Sequence, residues 1–136
     1  MSGLELFLKQ NKKETENVKY AASKNFVDEN GKPIEWEIRA IKSKEAENIR
    51  SACNKIVKGK PVTDNAKFNA MFASKCTVYP NLNDAFLQDS YGVMSASDLI
   101  TEMLDNDGEY QNYVKKCLEV SGYDVSDAEL VEEAKN

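Results

Sequence analysis

The sequence predicts an α+β fold in which an N-terminal antiparallel β-hairpin packs on a mostly helical C-terminal part of four to five short helices. Apolar residues alternate with charged ones over residues 34–40, which is the two-residue period of a half-buried strand. Beyond residue 43, apolar residues recur every three or four positions, as on one face of an amphipathic helix. The chain of 136 residues has the size of one typical domain.

We therefore expect a single domain over residues 1–136, built from four consecutive parts. These are an N-terminal arm (1–17), a hairpin (18–41), a helical part (43–122) and an acidic C-terminal tail (123–136). Leu4, Phe7 and Leu8 have the spacing of a short amphipathic helix within the arm. Two interpretations of the arm stay open: it docks on its own domain, or it presents an apolar hook to a partner.

The predicted hairpin consists of strands at about 18–27 and 34–41. A three-residue turn that ends at a left-handed Gly31 places Phe26 opposite Ile34 and gathers the aromatic side chains on one face. A two-residue turn would place them on opposite faces, so we predict the longer turn. Trp36 then anchors the core.

Capping residues divide the rest of the chain into helices. Ser43 is predicted to cap a helix that runs through about Val57, and Thr63 or Asp64 is predicted to cap the next. The inner face of that second helix is predicted to consist of Phe68, Met71, Phe72 and Cys76.

A short helix capped by Asn83 and closed by Gly92 forms the predicted junction between the two parts, which we call the seam (79–93). A Ser95-x-x-Asp98 capping pattern begins the next helix, and another begins at Asp107 and stops at Gly122. Ser126 is predicted to begin a last, acidic helix.

Composition argues against several classes of function. The net charge is −5, but residues 1–67 hold 14 Lys/Arg against 10 Asp/Glu, whereas residues 68–136 hold 4 against 13. The lysines of the first half alternate with glutamates, so nucleic-acid binding is not expected. We expect no membrane partner, because no apolar run approaches the roughly 20 residues that span a bilayer. The N-terminus also lacks a signal-peptide apolar region, so we expect the protein to stay where it is made.

Catalytic and metal-binding motifs are also missing. Histidine is absent, which removes the commonest general base, and no glycine-rich phosphate loop is found. The acids around Gly108 do not have the spacing of an EF-hand loop. Cys53, Cys76 and Cys117 lie at helical spacing among apolar residues, which favours buried thiols over a metal or redox site. We expect no enzyme activity, catalytic residue, metal or cofactor.

Two groups of short motifs resemble a known family. The first group is Phe7-Leu8-Lys9, Ser23-Lys-Asn-Phe26-Val-Asp28, Gly31-Lys-Pro33 and Trp36-Glu-Ile38-Arg39. The second is Pro80-x-Leu82, Leu87-Gln88-x-Ser90-Tyr91-Gly92-Val93, Met103-Leu104 and Gly108-Glu109-Tyr110. Each motif alone is weak, but their order and spacing over roughly 4–122 resemble the XkdN-like tail assembly chaperones of contractile-tailed phages and PBSX-type defective prophages.

The resemblance implies that this chain binds the phage tape measure protein and keeps its apolar helices soluble during tail tube assembly. The tail tube protein and a second copy of the chain are further candidate partners. It also implies a location in the host bacterial cytoplasm and absence from the mature virion. A structural tail-completion or baseplate component is the alternative function.

Reversible capture of a helix needs an exposed apolar surface, and the sequence offers two candidates for it. The candidate partner-binding residues are Leu4, Phe7 and Leu8 in the arm, with Leu82, Phe86, Leu87, Gln88 and Tyr91 in the seam. The competing interpretation of both segments is packing within the domain.

Overall fold

The computed structural model describes residues 3–124, which adopt the α+β fold that the sequence predicts. Two short 3₁₀ turns, Gly3–Phe7 and Lys9–Asn11, come first. The elements that follow are β1 (Val18–Tyr20), β2 (Trp36–Ile38), α1 (Ser43–Ala52), β3 (Asn54–Val57), β4 (Lys60–Thr63), α2 (Asn65–Cys76), β5 (Thr77–Tyr79), α3 (Ala85–Ser90), α4 (Ala96–Met103) and α5 (Asp107–Val120).

The main sheet is antiparallel, with β2 between β1 and β5. The sequence did not predict β5, which follows α2 directly and pairs with β2. Because an isolated two-stranded hairpin is marginally stable in water, this third strand helps to hold the N-terminal strands in place.

The predicted strand register is wrong for β1 and β2. Tyr20 lies opposite Trp36 rather than Ala40, a shift of four residues. The predicted turn does form, because the N–H of Ile34 donates to the carbonyl of Phe26 at 2.8 Å and Gly31 has a φ of 80°. An even shift keeps each side chain on its original face, so the aromatic rings still meet.

Residues 21–25 account for this shift, because they leave the ladder between Tyr20 and Phe26. Ser23 is buried, and its hydroxyl donates to the carboxylate of Glu109 at 2.8 Å. This long-range contact shortens the predicted strand 18–27 to three residues.

The predicted helix through about Val57 is also too long, and its N-cap is Lys42 rather than Ser43. Helix α1 ends at Ala52, and residues 54–63 form a second hairpin around Lys58 and Gly59, whose φ angles are 53° and 78°. Two consecutive positive φ values are those of a type I′ hairpin turn.

Helix α2 lies at the centre of the helical part, where it contacts α1, α4 and α5. Asp64 caps it by accepting from the N–H of Lys67. The sequence left Thr63 and Asp64 as the two candidates for this cap. Phe72 and Cys76 are buried as predicted, whereas Phe68 and Met71 are half-buried against the core.

The caps around α3, α4 and α5 largely follow the sequence. Asp84, not Asn83, caps α3 by accepting from the N–H of Leu87 at 2.8 Å. Gly92 closes α3 with a φ of 68°, and Ser95 caps α4 by accepting from the N–H of Asp98. Gly122 follows α5 with a φ of 95°. The helix predicted from residue 126 lies outside the described residues.

The core joins the sheet to the helices through aromatic rings. The rings of Trp36 and Tyr113 meet edge to face with centroids 5.1 Å apart, and the hydroxyls of Tyr113 and Thr77 are 2.6 Å apart. Burial raises the pKa of Tyr113. The three cysteines are buried free thiols, and burial raises the pKa of Cys117.

Candidate partner-binding surface

The N-terminal arm presents apolar side chains to solvent. Leu4 is 79% exposed, Leu6 63%, Phe7 85% and Leu8 46%. The two 3₁₀ turns that carry them bury no residue. The arm therefore has the exposure that the apolar-hook interpretation requires.

The seam divides its apolar residues between the core and the surface. Leu82 is 2% exposed and belongs to the core, whereas Phe86, four residues later on α3, is 86% exposed. Met94, just after the seam, is 95% exposed. The surface part of the seam is therefore centred on Phe86.

Hydrogen bonds and partial burial hold the other seam residues. The amide nitrogen of Gln88 donates to the carbonyl of Leu82 at 2.8 Å, which ties α3 to the core. Leu87 and Tyr91 are half-buried against the core, and burial raises the pKa of Tyr91. Gln88, Leu87 and Tyr91 are thus half-buried, whereas Phe86 is exposed.

A groove that the sequence analysis did not predict lies between α1, α2 and the end of α5. Arg50 spans it, with its guanidinium donating to the hydroxyl of Tyr123 at 2.9 Å and lying 5.7 Å from the ring centre of Phe68. Cavities of about 310 and 400 Å³ flank this bridge. Their lining residues come from distant parts of the chain, so no local motif marks them.

The second hairpin is another apolar surface that the sequence analysis missed. Ile56 is 70% exposed, Val57 44% and Val62 39%. The predicted longer helix placed Ile56 or Val57 on its buried face. This prediction is wrong, because both side chains are exposed. The signal that marks the hairpin is Lys58-Gly59 between two short apolar runs.

Within 3–124, no three Cys, Asp or Glu side chains are grouped so as to hold a metal ion. In the same residues, no helix has the length and apolar character needed to cross a membrane.

The sequence of this chain is similar to those of known proteins. A family model described as phage XkdN-like tail assembly chaperone protein matches residues 4–135. The chain is 31% identical over 128 residues to the uncharacterized protein YqbN of Bacillus subtilis, with 90% of this chain and 86% of YqbN covered. It is 30% identical, with the same coverage, to the phage-like element PBSX protein XkdN of Bacillus subtilis.

The fold is also similar to that of a solved protein. The crystal structure of YqbN superposes with a TM-score of 0.78 at 25% identity, covering 91% of this chain and 99% of that one. The similarity therefore extends through both the sheet and the helices.

Proposed function

Because the chain belongs to the family of XkdN-like phage tail assembly chaperones, we propose that it binds the tape measure protein and keeps it soluble while the tail tube assembles. Family membership implies phage tail proteins as partners. The proposal adds which tail protein is bound and what the binding achieves. It places the activity in the host bacterial cytoplasm, with no catalysis and no place in the mature virion.

One observation carries the proposal: Phe7 and Phe86 are 85% and 86% exposed, more than any other aromatic side chain of the described residues. Burying one such side chain against a partner contributes about 1.5–3 kcal/mol. A few of these contacts, reduced by the cost of ordering both partners, give binding that is reversible. Reversibility is what a chaperone needs if tube subunits are to displace it.

The charge distribution supports the same proposal. Residues 68–136, which include the seam, hold 13 acidic against 4 basic residues. An apolar side chain such as Phe86 among acidic neighbours can bind an apolar helix while the net charge keeps the complex apart from other copies.

Co-expression with a tape measure protein tests this function. The wild-type chain should hold the tape measure protein in the soluble fraction and co-purify with it. The double substitution Phe7→Ser with Phe86→Ser should move most of the client into the insoluble fraction, because both exposed rings are lost. Val27→Ser is the matched control, since Val27 is also exposed, at 47%, but lies at the tip of the first hairpin.

Near-UV circular dichroism of both variants shows whether the fold is intact. A double variant that is folded and still keeps the client soluble would contradict the proposed surface. Mass spectrometry of purified particles tests the role itself, because a structural tail component would be present at a fixed stoichiometry and a chaperone would be absent.

A further inference from the structure

The second hairpin is separate from the main sheet and open to solvent. In the described part of the chain, β3 and β4 pair with each other and form a two-stranded sheet of their own. All eight residues of the two strands are exposed, and Ile56 is 70% exposed. A hairpin of this kind has two strand edges that could accept a further strand.

The pairing identifies which backbone groups point outward. The N–H of Asp64 donates to the carbonyl of Cys53 at 2.7 Å, so these two residues form a hydrogen-bonded pair. Such pairs alternate with non-hydrogen-bonded ones along an antiparallel ladder. Asn54 and Ile56 therefore belong to non-bonded pairs, opposite Thr63 and Pro61. Their N–H and C=O groups point away from β4, along the outer edge of β3.

The two outer edges differ in what they can bind. Pro61 occupies an outward-facing position on β4, where it has no N–H to donate. The edge of β4 is therefore interrupted, whereas the edge of β3 offers complete donor and acceptor pairs at Asn54 and Ile56. The edge of β3 is therefore the better site for an added strand.

The charge of the hairpin selects what can pair with this edge. Residues 54–63 contain Lys55, Lys58 and Lys60 and no acidic residue, on a chain whose net charge is −5. Lys55 lies opposite Val62, and Val57 lies opposite Lys60. One face of the hairpin thus carries Lys55 and Lys60, whereas the exposed Ile56 lies on the other face, so a partner strand meets lysine on one side and an apolar side chain on the other.

We propose that β3 binds an extended segment of a partner protein in which acidic residues alternate with apolar ones. Main-chain hydrogen bonds to Asn54 and Ile56 would provide the pairing, and the alternating side chains would provide the selectivity. A second copy of the chain is disfavoured, because antiparallel pairing of Asn54 and Ile56 across two β3 strands would place Lys55 of one copy opposite Lys55 of the other. This inference concerns a different surface from the proposed tape measure site and a different mode of binding.

Amide exchange measured by NMR tests the pairing directly. The probe is a synthetic peptide in which valine and glutamate alternate, compared with a peptide that has lysine in place of glutamate. The glutamate peptide should slow exchange at Asn54 and Ile56 by at least about tenfold, since those amides become hydrogen-bonded. Lys55 and Val57 are internal controls, because their amides already face β4.

Two substitutions at one position separate the backbone from the side chain. Ile56→Pro removes the outward N–H without removing a bond to β4, and should abolish peptide binding. Ile56→Ala keeps that N–H and should retain most of the affinity. If near-UV circular dichroism shows that Ile56→Pro does not fold, amide exchange at Asn54 and Ile56 in the wild-type and Ile56→Ala chains tests whether the peptide pairs with β3.

Several results would overturn the proposal. Equal binding of the two peptides would remove the acidic preference, and unchanged exchange at Asn54 and Ile56 would remove the pairing. Protection of these two amides in the free protein, together with a dimer in analytical ultracentrifugation, would make a second copy the occupant instead.

Discussion

The hydroxyl of Ser23 donates to a carboxylate oxygen of Glu109 at 2.8 Å, although 86 residues separate the two in the chain. The other carboxylate oxygen accepts from the N–H of Lys24 at 2.9 Å. Glu109 lies in the first turn of α5, where a negative charge is favoured by the helix dipole. These contacts join the segment after β1 to the start of α5 and hold the sheet against the helices.

Ser23→Ala should destabilise the fold by about 1–3 kcal/mol, because the buried hydroxyl of Ser23 loses its hydrogen bond to the charged carboxylate of Glu109. Ser23 is 2% exposed, and its oxygen also accepts from the N–H of Asn25 at 3.0 Å. Urea denaturation measures the effect. Ser90→Ala is the matched control, since the exposed hydroxyl of Ser90 donates to the carbonyl of Leu87 at 2.7 Å, and it should change stability by less than about 0.5 kcal/mol. Equal effects from the two variants would contradict the prediction.

Glu45 should contribute stability that is lost in acid. Arg39 binds its carboxylate through two nitrogens, at 2.7 and 3.1 Å, and this lowers the pKa of Glu45 to about 2 from an ordinary value of 4.5. A lowered pKa means that the unfolded chain takes up the proton first, so the contribution is complete above about pH 4.5 and disappears as pH falls toward 2. The pair is partly exposed, so its contribution stays below about 1 kcal/mol.

Unfolding measured between pH 7 and pH 2 checks this. Glu45→Gln should be less stable than wild type at pH 7, with a difference that shrinks as the pH approaches 2. Glu47→Gln, at an exposed position on the same helix, should leave the acid dependence unchanged. A difference for Glu45→Gln that stays constant across this range would show that the ion pair is not its source.

Trp36→Ala should destabilise the fold by about 3–5 kcal/mol, as expected for a large ring removed from a packed core. Trp36 is 1% exposed, and its ring lies 5.1 Å from that of Tyr113 and 6.4 Å from that of Phe26. Trp36→Phe keeps part of these contacts and should cost less. Chemical denaturation compares the two, and a cost below about 1 kcal/mol for Trp36→Ala would mean that Trp36 does not anchor the core.

The alternation around Trp36 was enough to predict that the strand exists and which face it buries. It was not enough to predict the register, because the residues after β1 leave the ladder to reach Glu109 on α5. A hydrogen bond across 86 residues has no signature in local periodicity. The even shift preserved the face of each side chain, which is why the aromatic core was still predicted.

The end of α1 was missed for a different reason. Apolar positions at Ala46, Ile49 and Cys53 continue in helical spacing to Ile56, so the stripe alone predicts a longer helix. The break comes from Lys58-Gly59, where a lysine adopts a positive φ that is uncommon outside Gly, Asn and Asp. The sequence shows the turn residues Lys58 and Gly59, but the strand before them, residues 54–57, was predicted to be helical.

The sequence identified the apolar residues of the seam and the arm, but it did not predict which of them face solvent. Helix α3 spans six residues, which is too short for periodicity to show which side faces the core. In the structure Leu82, in the turn before α3, lies in the core, whereas Phe86 on α3 faces solvent. The same holds for the arm. The spacing of its apolar residues predicts a short amphipathic helix, but it does not tell whether that helix docks on the domain or stays exposed.

Leu82 and Phe86 provide a final test, because they are nearly equal in hydrophobic character but opposite in burial, at 2% and 86% exposed. Leu82→Ala should destabilise the fold by about 2–5 kcal/mol, since it leaves a cavity in the core. Phe86→Ala should change stability by less than about 0.5 kcal/mol, because its ring contacts mainly water. Thermal and urea denaturation of the isolated chain measure both. A large loss of stability for Phe86→Ala would mean that Phe86 packs within the domain, and it would remove Phe86 from the surface available to a partner.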